Sequence, residues 1–384
     1  MRGHSVHVTG NIGAQQRTAL VYDLSIVGTV GLPASYGGFE TLAEHLVLHF
    51  AQRYHVQVFC TSKRRQDRPL QYLGADLSYV SLDANGWQSI CYDIVSLWRA
   101  GRRTRTLLVL GVSGCIFLPI IRLIAPRVRI VTHIDGLEWK RRKWGHIARA
   151  VLHLSERIAV RYSHAVIADN QAIREYVDHA YGIGSYLIAY GGDNGSEGDL
   201  ASRVSLDTSF TPGTYFLTVC RIEPENNIAE ILEAFQQTPG QRLVIVGNWS
   251  ASNFSRQLRQ RYRTLPNIEL LDPIYDRARL AVLRHGARAY VHGHSAGGTN
   301  PSLVEAMSAG MAVLAFDVKY NRYTTNDEAI YWKSSAELAR IVSTVSEEEL
   351  KKNGGKMFEY AKHAYTWAKV VAQYEAVLFP KTEI

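Results

Sequence analysis

Gly293–Gly310 reads GHSAGGTNPSLVEAMSAG and follows the apolar run Ala289–Val291. A short strand thus enters a glycine-rich loop, and Asn300-Pro301 opens a helix. Asn is a favoured N-cap, and Pro suits the first helical position. The first N–H groups of such a helix lack intrahelical partners, and the helix dipole makes that end positive. Gly297 and Gly298 allow close approach to the backbone, so the loop suits an anion such as phosphate. Glu305 lies about one turn further on, where its carboxylate can accept from ribose hydroxyls. Taken alone, the same residues are better explained by an ordinary capped helix with a solvated Glu305, so neighbouring features must decide.

The preceding chain repeats the pattern. Ser25–Val27 is a compact apolar strand, Gly28–Gly38 (GTVGLPASYGG) is a glycine-rich loop, and Phe39–Phe50 carries apolar residues at helical spacing. This is the opening of a nucleotide-binding α/β unit. It contains neither GxGxxG nor GxxxxGK[ST], which disfavours a dinucleotide enzyme and a phosphate-loop NTPase. Strands over 55–60, 77–82, 107–112, 129–132, 165–168 and 186–189 alternate with helices over 86–99, 116–124, 147–162 and 171–180. The strand over 129–132 ends at His133-Ile134-Asp135-Gly136, where open parallel sheets bind ligands. Gly191–Pro212 is polar and glycine-rich. Alternation then resumes, with strands at 215–219, 242–246, 268–271 and 312–316, helices at 228–236, 255–263 and 276–284, and helical periodicity over 353–379.

The expected organisation is an N-terminal α/β domain over 21–190 and a linker over 191–212. A C-terminal nucleotide-sugar-binding domain over 213–360 follows, and a closing helix over 361–384 packs back on the first domain. Two parallel-sheet layers place a ligand between them.

Composition narrows the class. The chain has 384 residues, with 46% hydrophobic and 20% charged, which excludes a disordered chain. Cys60, Cys91, Cys115 and Cys220 show no CxxC spacing and read as reduced thiols. His292-x-His294 is not an HExxH pattern, so no metal site is expected. Residues 1–190 hold 22 Lys/Arg against 13 Asp/Glu, a net +9, which leaves −1 of the chain's +8 for the remainder. Runs at Lys63–Arg65, Arg102–Arg105 and Lys140–Lys143 fit either a solvated basic surface or an anionic membrane or lipid substrate. No nucleic-acid-binding motif is present. Met1–Leu20 does not read as a signal peptide. Leu107–Ile124 is long enough to test as a membrane span, but Gly111, Gly114, Pro119 and Arg122 interrupt it. A buried strand, a turn and a buried helix explain it better, with a helix dipping into the membrane interface as the alternative.

Together these stretches resemble the retaining family-4 glycosyltransferases of GT-B fold. Within them, the chain is similar to the bacterial β-1,4-rhamnosyltransferases of polysaccharide assembly. The resemblance rests on GTVGLPASYGGFETLAEHL from Gly28, ANGWQSICYDIVS from Ala84, HIDGLEWKRRKWG from His133 and IADNQAI from Ile167. It continues in RIEPENNI from Arg221, LVIVGNW from Leu243, HGHSAGGTNPSLVEAM from His292 and TWAKVVAQYE from Thr366.

The resemblance implies two Rossmann-like domains facing across a cleft. It implies hexosyl transfer from a nucleotide-sugar with retention, without a bound metal or separate cofactor. The sugar it points to is L-rhamnose from dTDP-β-L-rhamnose, passed to a lipid-diphosphate-linked acceptor sugar in exopolysaccharide, capsule or O-antigen assembly at the inner face of the cell membrane. Arg221 matches the diphosphate-binding arginine, whose guanidinium would stabilise charge on the leaving group. Glu305 matches the second glutamate of a Glu-x7-Glu motif and implies a ribose contact. Thr299, Asn300 and Ser302 would serve phosphate beside Gly297 and Gly298, and Gly247, Asn248 and Tyr275 would flank the base. Gly297 stands where the first glutamate falls, and Asn226 where a lysine is usual.

Across the cleft, the acceptor loop would comprise Gly28, Thr29, Gly31, Tyr36, Gly37 and Gly38. His133 and Asp135 would line the same opening. Asp135 would orient or deprotonate the acceptor hydroxyl, though a loop hydrogen bond explains it equally well. Glu138 and Lys140 would meet sugar hydroxyls or the lipid diphosphate. Rival readings are a nucleotide-sugar epimerase or hydrolase, which would consume donor alone, and a non-catalytic nucleotide-sugar-binding protein.

Overall fold

The structure, a computed structural model, describes residues 21–34, 37–63, 67–140, 144–193 and 210–381. Met1–Leu20, Arg64, Arg65, residues 141–143 and most of the expected linker lie outside the described residues.

Among the described residues, eight strands form the first sheet. They are β1 (Tyr22–Val27), β2 (Val56–Thr61), β3 (Gln71–Tyr72), β4 (Ala75–Val80), β5 (Thr104–Leu110), β6 (Arg129–Ile134), β7 (Ala165–Ala168) and β8 (Tyr186–Leu187). Their order is β3-β4-β2-β1-β5-β6-β7-β8, parallel except for the β3–β4 pair. Six more form the second sheet: β9 (Tyr215–Val219), β10 (Arg242–Val246), β11 (Ile268–Leu271), β12 (Ala289–His292), β13 (Val313–Phe316) and β14 (Ile330–Trp332). Their order is β11-β10-β9-β12-β13-β14, all parallel. Central strands are apolar on both faces: the successive residues Ile26 and Val27 of β1, and Leu107 and Leu108 of β5, point to opposite faces and all are buried. That two-sided burial demands helices on both faces.

The helices are α1 (Gly38–Phe50), α2 (Ser89–Gly101), α3 (Leu118–Ile124), α4 (His146–Tyr162) and α5 (Gln171–Tyr181), then α6 (Ile228–Gln236), α7 (Asn253–Tyr262), α8 (Arg277–Gly286), α9 (Pro301–Ser308), α10 (Lys319–Thr324), α11 (Ser335–Thr344), α12 (Glu347–Ala364) and α13 (Trp367–Leu378). The architecture is the GT-B arrangement of two Rossmann-like α/β layers. Strands β3 and β14 and helices α10 and α11 were not legible from periodicity.

The single long helix expected near the end is two. The first ends at Ala364, and Thr366 caps the second through its hydroxyl, which accepts from Lys369 N at 3.3 Å. The second returns to the first sheet. Glu375 accepts from Arg53 at 2.9 Å and from Tyr54 at 3.0 Å, and Arg129 Nε donates to Val377 O at 3.0 Å.

Helix α3 departs from the buried helix expected. Leu118 and Ile121 face the core, but Leu123 is 81% exposed and Ile120 and Ile124 are also open to solvent. No helix among the described residues is long and apolar enough to cross a membrane. Cys60, Cys115 and Cys220 are buried free thiols, and Cys91 is an exposed one.

Candidate active site

The carboxyl ends of both sheets converge. Loop 28–38 follows β1, Asp135-Gly136 follows β6, Asp169-Asn170 follows β7, and loop 293–300 follows β12. Asp135-Gly136 and the start of α1 belong to the first sheet's half and loop 293–300 and α9 to the second's, yet they touch. A Cβ on Gly136 would lie 3.0 Å from Gly297 Cα, and one on Gly38 would lie 3.3 Å from Pro301 Cγ. Gly136 has φ +159, which also favours glycine there.

The loop that follows β1 is strapped to α1 by two carboxylates. Glu40 Oε1 accepts from Val30 N at 2.7 Å, and Glu44 Oε1 accepts from Ala34 N at 3.0 Å. Thr29 is buried, and its carbonyl accepts from Tyr92 OH at 2.9 Å. Gly28 and Gly31 lie along this loop, Gly37 precedes α1, and Tyr36 lies outside the described residues. Loop amides that would otherwise be orphaned are thus held by buried acceptors. Neither glutamate was assigned a role from sequence.

His133 is the penultimate residue of β6 and lies in the interior, 1% exposed. Its Nδ1 lies 2.7 Å from Tyr374 OH, on α13, and its Nε2 has no partner among the described residues. Burial lowers its pKa to about 3, so the ring stays neutral. Asp135 is half-buried two residues later. Glu138 accepts from Trp144 Nε1 at 3.0 Å, and the exposed Lys140 ammonium lies 5.1 Å from the Trp139 ring centroid.

On the other side, the turn carrying Arg221 is stitched to loop 293–300. Asn227 Nδ2 donates to Gly293 O at 2.9 Å, and Ser295 N donates to Glu225 O at 2.9 Å. Arg221 remains about half-exposed, 3.8 Å from Glu223 Oε1. Asn226 is buried, and its Nδ2 donates to Arg221 O at 2.6 Å. Its side chain shapes the turn rather than pointing outward. Gly247 follows β10, where a Cβ would lie 2.6 Å from Cys220 O, and the exposed Asn248 accepts from Ser250 N at 3.0 Å. Tyr275 is 61% exposed on the loop before α8.

Asn300 caps α9, accepting from Ser302 N at 3.0 Å and from Ser302 Oγ at 2.7 Å. Thr299 is buried and donates its backbone N–H to Asp169 Oδ2 at 3.1 Å. Glu305 is ion-paired with Arg284, a residue of α8 whose side chain is 3% exposed. Asp169 and Arg284 are the site neighbours that periodicity did not single out. His292 and His294 stack at 4.6 Å, and burial lowers the pKa of His292 to about 3. No group of three potential metal ligands occurs among the described residues.

Residues 208–363 match the family described as "Glycosyl transferases group 1", and residues 21–193 match a "Domain of unknown function (DUF1972)". No curated protein matches the sequence. The fold is similar to the sucrose-phosphate synthase of Thermosynechococcus elongatus: TM-score 0.74, 15% identity, covering 92% of this chain and 97% of that one. It is also similar to Anabaena HepE, solved in complex with UDP and glucose (TM-score 0.73, 15% identity, 92% and 98% covered). A third is the α,α-trehalose 6-phosphate synthase of Burkholderia multivorans (TM-score 0.70, 9% identity, 94% and 98% covered).

Proposed function

We propose that this chain, whose residues 208–363 match the group 1 glycosyltransferases and whose fold is GT-B, transfers a hexose from a nucleotide-sugar to a lipid-diphosphate-linked acceptor sugar. The best-supported donor is dTDP-β-L-rhamnose, transferred with retention and without a metal, in polysaccharide assembly at the inner membrane face. The observation that carries the reading is the seam between the Arg221 turn and loop 293–300. It ties the turn that carries the half-exposed Arg221 to the loop leading into α9, and the start of α9 lies against Gly38. A diphosphate leaving group needs cationic and N–H donors together, fixed before charge develops.

The acceptor hydroxyl would approach from the side of Asp135 and loop 28–38. Asp135 would orient that hydroxyl and the leaving phosphate would help take its proton, so both the attacking oxygen and the departing diphosphate lie on one face of the sugar. Neutral His133, whose Nε2 lacks a partner among the described residues, would hold a sugar hydroxyl rather than carry a proton. A donor containing a nucleoside diphosphate is in keeping with the UDP bound to Anabaena HepE.

The membrane face would be α3 with α4, which pack together. Leu123, Ile147 (84% exposed) and Leu154 stand outward among the exposed Arg122, Arg127, Arg157 and Arg161. Apolar residues interleaved with cations suit an anionic interface.

The test is to incubate the protein with dTDP-rhamnose, UDP-glucose, UDP-galactose or GDP-mannose, with and without a polyprenyl-diphosphate-linked sugar. One donor should add a single sugar to the lipid, with its anomeric configuration kept. Donor consumed at the same rate without acceptor would indicate a hydrolase or epimerase instead.

A further inference from the structure

The Asp169 carboxyl sits where the two sheets meet, and the reading above leaves it without a task. It closes β7, and its residue is 1% exposed. Oδ2 accepts from Thr299 N, while Oδ1 has no hydrogen-bond partner among the described residues. A Cβ on Gly298 would fall 1.8 Å from that oxygen, so only glycine lets the loop close on the carboxyl. Thr299 Oγ1 donates back to Asp169 O. The next residue extends the clasp: Asn170 Nδ2 donates to Thr324 Oγ1 at 3.1 Å and to Tyr320 O at 3.2 Å.

A carboxylate oxygen and a phosphate oxygen accept from a backbone N–H in the same way. Asp169 therefore occupies a donor group at the start of α9 that an incoming anion needs. Its position is costly, because a buried carboxyl with one satisfied oxygen forfeits hydration. Burial, and then the nearby Asp135, push its pKa well upward. A diphosphate bearing more charge, with Arg221 at hand, is the better occupant.

We propose that Asp169 is an internal occupant of the diphosphate cradle: it holds the amide of Thr299 until a nucleoside diphosphate displaces it. The proposal rests on the donor-site reading given above. Asp169 belongs to the first sheet and Thr299 to the second sheet's loop, so displacement releases a clasp between the halves.

The test is to titrate UDP and dTDP into the wild type, Asp169→Asn and Asp169→Ala. Removing the competitor should tighten nucleoside diphosphate binding by about fivefold to tenfold in Asp169→Ala. Asp169→Asn should fall between, because its carboxamide oxygen still accepts from Thr299 N while the charge is gone. This isosteric variant also guards against a folding failure of the alanine. Unchanged or weaker binding by both variants would overturn the clasp while leaving the donor site standing. So would weaker binding of the nucleotide-sugar alone, which would make Asp169 a sugar ligand. Binding of neither nucleotide by any form would overturn the donor site and the clasp together. Hydrogen exchange gives an independent reading. The peptide containing Thr299 should exchange faster in Asp169→Ala than in wild type, and equal rates would overturn the clasp.

Discussion

Glu305 and Arg284 form an ion pair between α9 and α8, with the arginine side chain 3% and the glutamate 17% exposed. The carboxylate expected to meet ribose therefore also neutralises a buried guanidinium. Removing one partner of such a pair leaves an uncompensated charge, at about 3–5 kcal/mol. Glu305→Ala should lower the melting temperature sharply, whereas Glu305→Gln, which can still accept from Arg284, should lose less. Thermal denaturation of both variants checks this. Equal, small losses would mean that the pair contributes nothing to stability.

Tyr374 ties the last helix to the site through its hydroxyl, 2.7 Å from His133 Nδ1. Tyr374→Phe removes that partner and leaves a buried ring nitrogen unsatisfied, a loss of about 1–3 kcal/mol. Urea denaturation should show it. Because burial keeps His133 neutral down to about pH 3, kcat measured between pH 5 and 8 should show no inflection that disappears in His133→Asn.

Asp93 is buried on α2 with Ser113 Oγ as partner, and burial raises its pKa to about 7. The fold prefers its neutral form. Stability from that preference is complete at acid pH and is lost as pH rises from the ordinary carboxyl value of 3.8 through about 7. Asp93→Asn has no proton to lose. Its melting temperature relative to wild type should therefore climb between pH 5 and pH 8, and a constant difference would contradict this.

The exposed apolar side chains of α3 and α4 make the membrane face testable. Leu123→Glu with Ile147→Glu should cut binding to phosphatidylserine vesicles by about tenfold or more, since burying each such side chain is worth about 1.5–3 kcal/mol. Melting temperature should hold, because Leu123 and Ile147 are 81% and 84% exposed. Sedimentation with vesicles at low salt reads the result.

Apolar runs bounded by glycine made the long strands of both sheets legible, because central parallel strands are apolar on both faces. Three-residue β14 is too short to show a period. The two-helix ending was readable in principle, since Thr366 is a capping residue inside the apolar run. Asn300 and Glu305 stood out because their spacing along one segment carries meaning, whereas Arg221 was singled out only by the family resemblance. Asp169 did not, because its partner Thr299 lies 130 residues away. Arg284 lies 21 residues before Glu305, on another helix. Asn226 was singled out for the missing lysine, but its side chain turns inward to the Arg221 carbonyl.

The most direct measurement is calorimetric titration of dTDP-rhamnose, UDP-glucose, UDP-galactose and GDP-mannose into wild type and Arg221→Ala. Arg221 is half-exposed, with only a 3.8 Å approach to Glu223, so its loss should leave the fold intact. The account predicts one donor bound with micromolar Kd and a loss of about tenfold or more in Arg221→Ala, as befits a charged hydrogen bond worth about 1.5–3 kcal/mol. No donor binding, or equal affinity in a folded Arg221→Ala, would contradict a diphosphate site between Arg221 and loop 293–300.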